Sequence, residues 1–229
     1  QQLVSGEKID AATTKATTAD DYLAKAKALL GEKGKENEVI RLANKALNFE
    51  ERAIAYFYLA YAKDDLGDYK GAIEDYTKAI EIDPNDTNSF YNRAISKDNL
   101  EDYKGAIEDY TKAIEIDPND ADNYSRRGSS KNLLDDFEGA IEDFNKAIEL
   151  DPEDDYSYKS RGYSKQSLED FNGAIEDLNK AIELDPESLF GYSTRGDLKQ
   201  FQKDYFGAIY DFTRVIEIDP EDAYAYASR

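Results

Sequence analysis

Cysteine, histidine, methionine and tryptophan are missing from this chain of 229 residues. Without cysteine there is no disulfide, no thiolate metal site and no thiol nucleophile, and redox compartment is left open. Without histidine the commonest general base and the commonest metal ligand are gone. No apolar run reaches the roughly eighteen residues of a membrane span, which argues against membrane insertion. Methionine is absent even at position 1, so Gln1-Gln2 reads as the edge left by a processing event or by expression. A secreted or periplasmic chain and a cytoplasmic one both fit. Positive charge is scarce, 29 Lys+Arg against 50 Asp+Glu, for a formal net charge of −21. Such a chain repels phosphate backbones, which argues against nucleic acid as a partner. The acidity serves solubility first and attraction to a basic partner second.

Proline is scarce as well, and its placement organises the chain. Pro84, Pro118, Pro152, Pro186 and Pro220 recur every 34 residues, each closing a copy of the stretch Tyr103–Pro118. A fixed period in this range signals a repeat architecture, in which each unit stacks only on its neighbours. The regular units are 53–86, 87–120, 121–154, 155–188 and 189–222. Each carries two helical patterns, A and B. Helix A has an aromatic at position 4 (Tyr56, Phe90, Tyr124, Tyr158, Tyr192) and a small residue at position 8 (Ala60, Ala94, Gly128, Gly162, Gly196). A turn ending in Asp68, Asp102, Asp136, Asp170 or Asp204 supplies an N-cap for helix B. The Asp-Pro pair ends B, because proline biases the preceding residue to extended backbone. Upstream, 1–18 reads as a flexible N-terminal arm and 19–52 as a degenerate first repeat. Its second helix is predicted to put Val39, Ile40, Leu42, Ala43, Ala46, Leu47 and Phe49 on its inner face. Residues 223–229 begin a further helix, so 19–229 is one array.

These residues resemble the tetratricopeptide repeat (TPR). The resemblance is strong over 53–222 and weak over 19–52. It is carried by the positions above together with Ala72, Ala106, Ala140, Ala174 and Ala208 at position 20, and with Tyr76, Tyr110, Phe144, Leu178 and Phe212 at position 24. It implies an all-α fold, a right-handed superhelical solenoid of antiparallel helix pairs with A helices lining the concave face. The physical logic agrees: small residues at 8, 20 and 27 let helix axes approach, and aromatics at 4, 17 and 24 fill the gaps.

Two departures from the family stand out, beside one regular surface feature. Positions 7 and 11 are basic: Arg93/Lys97, Arg127/Lys131, Arg161/Lys165 and Arg195/Lys199, with Leu59/Lys63 in the first unit. Like charges at this spacing disfavour a helix. We expect a ladder of pairs with Asp75, Asp109, Asp143, Asp177 and Asp211 at position 23, and for Arg127 both Asp143 and Asp109 are candidates. Glycine recurs at position 19, from Gly71 to Gly207, implying a close approach there. On the outer face of B, Glu74–Lys78, Glu108–Lys112, Glu142–Lys146 and Glu176–Lys180 are predicted i,i+4 surface pairs.

By the resemblance, positions 2, 5, 6, 9, 12 and 13 of helix A face the groove, and helical spacing sets them apart from 4, 8 and 11. The residues singled out for partner binding are Phe57, Tyr58, Tyr61, Tyr91, Asn92, Ile95, Arg126, Tyr156, Lys159 and Tyr163. Aromatics would supply contact area, and Asn92, Arg126 and Lys159 would orient a protein or peptide segment. Of the basic and amide residues with which some family members hold a C-terminal carboxylate, only Asn92 and Arg126 have counterparts, so that recognition is not expected. The Asp-Pro turns lack the glycine and distal glutamate of a calcium loop, so no metal and no cofactor is expected. Chemistry-bearing residues recur with the period, as scaffold positions do, so no catalytic site is expected either. Self-association through the groove or the open end is the alternative function.

Overall fold

The computed structural model describes residues 18–229, so all but the last residue of the predicted arm lies outside the described residues. The described residues hold thirteen helices: α1 Ala19–Leu29, α2 Glu36–Leu47, α3 Ala53–Asp65, α4 Tyr69–Ile82, α5 Thr87–Asn99, α6 Tyr103–Ile116, α7 Ala121–Asn132, α8 Phe137–Leu150, α9 Asp155–Ser167, α10 Phe171–Leu184, α11 Leu189–Phe201, α12 Tyr205–Ile218 and α13 Ala223–Ser228. Each packs mainly on the helices before and after it, with lighter contact between successive A helices such as α3 and α5. Each even-numbered helix from α4 to α12 is a B helix, and the odd ones are A helices.

Aspartate sets the helix starts. The side chains of Asp68, Asp102, Asp136, Asp170 and Asp204 accept from the N–H of Gly71, Gly105, Gly139, Gly173 and Gly207 at 3.0–3.1 Å. This explains the recurring glycine: a Cβ there would strike the capping carboxylate. Asp86, Asp120, Asp154 and Asp222 cap A helices in the same manner, and Ser188 caps α11. Each A–B turn also passes through the left-handed region at position 15, which is Gly67 in the first regular unit but Glu101, Asp135, Glu169 and Lys203 in the others. Non-glycine residues there cost roughly 1 kcal/mol.

The core follows the small-and-large rule. Ala72, Ala106, Ala140 and Ala174 are fully buried, as are Tyr76, Tyr110, Phe144, Leu178 and Phe212 at position 24. At the N-terminal end, Leu23, Val39, Leu42, Ala43 and Ala46 pack with Tyr58 and Leu59 of α3. Phe49 departs from expectation. It is 60 % exposed, because α2 ends at Leu47 with Asn48 as its C-cap, and its ring lies 6.0 Å from that of Tyr22. The outer-face pairs also differ from the prediction. Lys112, Lys146 and Lys180 turn forward to Glu115, Glu149 and Glu183 at 2.7–2.9 Å, and Lys78 lies 3.7 Å from Asp75. An exposed lysine with carboxylates within reach one turn to either side gains little by choosing one over the other.

Two equivalent tyrosines differ in one bond. Tyr110 Oη donates to Asp98 Oδ2 at 3.0 Å, whereas the buried Tyr76 Oη has no partner among the described residues. An unpaired buried hydroxyl carries a desolvation penalty of about 1–3 kcal/mol. Tyr76→Phe is therefore expected to raise stability by about 1 kcal/mol, and Tyr110→Phe to lower it by about 1.5 kcal/mol. Urea denaturation of the two variants checks this. Losses of equal size in both would contradict it.

Candidate functional site

The basic residues at positions 7 and 11 belong to the scaffold. Arg127 donates Nε and Nη2 to Asp143 at 2.9 and 2.6 Å, and Lys131 Nζ reaches the same carboxylate at 2.8 Å. Arg93 and Lys97 hold Asp109, Arg161 and Lys165 hold Asp177, and Arg195 and Lys199 hold Asp211 in the same way. The aspartates are nearly buried, so two cations per carboxylate offset its desolvation. The third guanidinium nitrogen, Nη1, donates across to the preceding repeat, to Thr77, Thr111, Asn145 or Asn179. Each arginine also stacks over the aromatic at position 4 of its own helix. In the first unit Leu59 replaces the arginine, Lys63 closes on Asp75 at 2.6 Å, and Lys78 of the same helix as Asp75 lies 3.7 Å from it. No basic stripe is left over for the groove.

A second polar ladder joins successive A helices. Ser96, Ser130 and Ser164 at position 10 donate to Asp64, Asp98 and Asn132 at position 12 of the preceding repeat. Ser157 likewise meets Ser125 at 2.9 Å. Sequence reading assigned position 12 to the groove, but here it mainly ties repeats together. Burial holds the carboxyls of Asp64 and Asp98 above the usual range, while the serine hydrogen bonds pull them back. Asp65 is raised by burial and by the neighbouring Asp64 charge.

On the concave side, α7, α9 and α11 enclose an open cleft of about 450 Å³. Leu133, Tyr156, Tyr163 and Phe190 provide its apolar walls, and Ser129, Asn132, Lys159 and Ser160 its polar ones. Tyr156 and Tyr163 are about half exposed. The Tyr156 hydroxyl meets Ser129 Oγ at 2.9 Å, and the Tyr163 ring meets Phe137 edge-on at 6.2 Å. Lys159 pairs with Asp155 at 2.6 Å. Three of the residues singled out from sequence are therefore brought together in one cleft.

The others are spread toward the N-terminus. Phe57 packs between Tyr58, Tyr61 and the buried Tyr76. Tyr91 stands edge-on to Tyr110 at 5.9 Å, Ile95 packs on the same cluster, and Asn92 Nδ2 donates back to the Asn88 carbonyl at 2.8 Å. Burial raises the Tyr91 hydroxyl, and the exposed Arg126 beside it opposes that shift. Tyr58 does not fit the reading made from sequence: it is 6 % exposed, enclosed by the first core cluster, and offers no surface to a partner. Position 6 of the first regular unit faces the atypical helix pair instead of an open groove, which is why the spacing misassigned it. The groove is thus acidic at its N-terminal end, around Asp64 and Asp65, and aromatic and nearly neutral at its C-terminal end. Among the described residues no helix is long and apolar enough to cross a membrane, and no three or more carboxylates converge as a metal-binding group.

Comparison with known proteins places this arrangement. A tetratricopeptide repeat family model matches residues 53–86, 87–120 and 121–154, and a second model of the same description matches 157–188. No curated protein sequence matches the chain. Among solved structures, MamA is 25 % identical, with a TM-score of 0.69 over 72 % of this chain and 96 % of its own. YrrB, described as a TPR protein with an unusual peptide-binding site, is 21 % identical, with a TM-score of 0.69 over 81 % of this chain and 96 % of its own. The C-terminal part of a TPR repeat-containing protein from Cytophaga hutchinsonii is 16 % identical, with a TM-score of 0.77 over 93 % of this chain and 88 % of its own.

Proposed function

The chain belongs to the tetratricopeptide repeat family, whose members serve as protein-interaction scaffolds, and on that premise we propose that it binds a protein or peptide segment along its concave groove, with the α7–α9–α11 cleft as the anchor point. The observation that carries this reading is the set of apolar side chains the fold leaves uncovered there: Leu133, Tyr156, Tyr163 and Phe190. A volume of about 450 Å³ suits one or two large side chains of a bound segment. Tyrosine rings with few rotors lose little entropy on binding, and the hydroxyls, Ser129 and Ser160 can orient the segment's backbone. Ion pairing contributes little, because Lys159, the only cation among the described residues that line the cleft, is already matched by Asp155. The role is non-catalytic, and nucleic acid is not the partner, in keeping with the −21 charge.

Peptides selected by display on the intact chain test this. Tyr156→Ala with Tyr163→Ala is expected to weaken their binding by about thirtyfold or more, the scale of a hot-spot pair. Glu142→Ala on the outer face should leave affinity unchanged. Equal affinity for all three proteins would refute the groove as the binding surface.

One observation favours a second reading, self-association. In α12 the positions that carry Lys70/Glu74, Lys104/Glu108 and their counterparts are Phe206 and Tyr210, 89 % and 58 % exposed. Under this reading a concentration-dependent oligomer seen by sedimentation would revert to monomer in Phe206→Lys/Tyr210→Glu. A monomer at every concentration removes it.

A further inference from the structure

We infer that a small hollow between α5 and α7 is a subsite for a primary ammonium group on an extended chain, as in a lysine side chain. It holds about 170 Å³ and is lined by Thr87, Asn88, Tyr91, Asp120, Asp122 and Asn123. That is room for one side chain, below the roughly 300–1,000 Å³ of small-molecule sites.

The strongest observation is Asn123. It is 1 % exposed, and its Nδ2 donates to Asp120 Oδ2 at 3.0 Å. A carboxylate only accepts, so this bond fixes which way the amide faces. The opposite atom, Oδ1, is buried and has no hydrogen-bond partner among the described residues, on a side chain that lines the hollow. Buried amide oxygens are almost always paired, so an orphaned one bordering an open space marks where a donor belongs.

Charge narrows the donor. Asp120 and Asp122 contribute two carboxylates, and Asp122 has no ion-pair partner among the described residues. Arg126, one turn along α7 from Asp122, lies against the Tyr91 hydroxyl. The other groups on the wall can all accept: Thr87 Oγ1, the Asn88 amide oxygen and Tyr91 Oη. A lining of acceptors with excess negative charge calls for a compact cation with several donors, and an ammonium has three.

The repeat gives an independent argument. Position 3 is Ala55, Ser89, Asn123, Ser157 and Gly191 in turn, all buried. The serines satisfy themselves, Ser89 on Asp86 and Ser157 on Ser125, so packing does not require an amide here. Scaffold positions recur with the period, and this one departs from it beside the hollow. Asn88, Tyr91 and Asp122 lie on the concave stripe, so a lysine on a groove-bound segment could enter from there; that clause rests on the groove reading, whereas the subsite itself does not.

The test uses the intact, 15N-labelled chain and three small probes. Nα-acetyl-lysine amide is expected to shift the side-chain amides of Asn88 and Asn123 saturably, in the millimolar range. Nα-acetyl-norleucine amide, which lacks the ammonium, should not. Glycyl-leucine amide separates a chain-terminal ammonium from a side-chain one, and binding by it alone would overturn the lysine assignment. Asp122→Asn should weaken the lysine probe about tenfold. Asn123→Ser, the residue of two sister repeats, should abolish saturation while the circular dichroism melt stays unchanged. Equal shifts with norleucine amide, or lysine shifts spread over the acidic surface and unaltered in Asn123→Ser, would overturn the subsite. Peptides still held through Tyr156 and Tyr163 in that event would leave the groove reading in place.

Discussion

Arg127→Leu alone is expected to destabilise the array by about 3–5 kcal/mol, and adding Asp143→Leu to restore most of that loss. The single change removes the bidentate partner of a carboxylate that is 4 % exposed and leaves it with Lys131 alone. It also cuts the link from Arg127 Nη1 to Thr111 Oγ1, at 3.1 Å, that spans the repeat boundary. Removing the aspartate as well replaces a buried ion pair by packing, which is often neutral. The coupling energy from a double-mutant cycle should exceed about 2 kcal/mol for Arg127 with Asp143. For Arg127 with Asp109 it should be near zero, because Asp109 is already held by Arg93 and Lys97. Urea denaturation of the two cycles provides the measurement. Additive losses for Arg127 and Asp143 would show that the ladder is incidental to stability.

Phe144→Ala should cost about 3–5 kcal/mol and split the unfolding of the array into two steps. The ring is fully buried and lies against Gly128, where a Cβ would come within 3.0 Å of it, so the cavity has no side chain on that side to fill it. Among the described residues each repeat packs chiefly on its neighbours, so a lesion in the third regular unit uncouples the two flanks. Hydrogen exchange should show α7 and α8 losing protection before α3–α4 and α11–α12. One cooperative transition, lowered uniformly, would contradict this view of the array.

Much of the fold was legible in the sequence because the period repeats each physical requirement. One Asp-Pro ending or one Gly-Ala pair says little; five in register specify capped helix pairs with small residues at the contacts. The ladder was legible for the same reason, since basic residues recurring at positions 7 and 11 need a recurring acid. Which aspartate answers Arg127 was not, because both candidates lie one helix away and only side-chain direction chooses Asp143. Tyr58 was misread because position 6 faces a groove only where a regular repeat precedes it. Phe49 was misread because helical spacing was carried past the helix end at Leu47. The role of position 12 was missed because Ser96–Asp64 and its counterparts span about one full repeat. The recurring serines at position 10 were the available signal. Asn123 carried a signal too, as the one amide among small residues at position 3, but its unpaired oxygen shows only in three dimensions.

The most direct test of the groove is to locate a display-selected peptide on the isotope-labelled chain by intermolecular nuclear Overhauser effects. The account predicts contacts from the peptide's large apolar side chains to Leu133, Tyr156, Tyr163 and Phe190. Contacts confined to the outer faces of the B helices, at residues such as Glu142, Lys146 and Glu176, would contradict it.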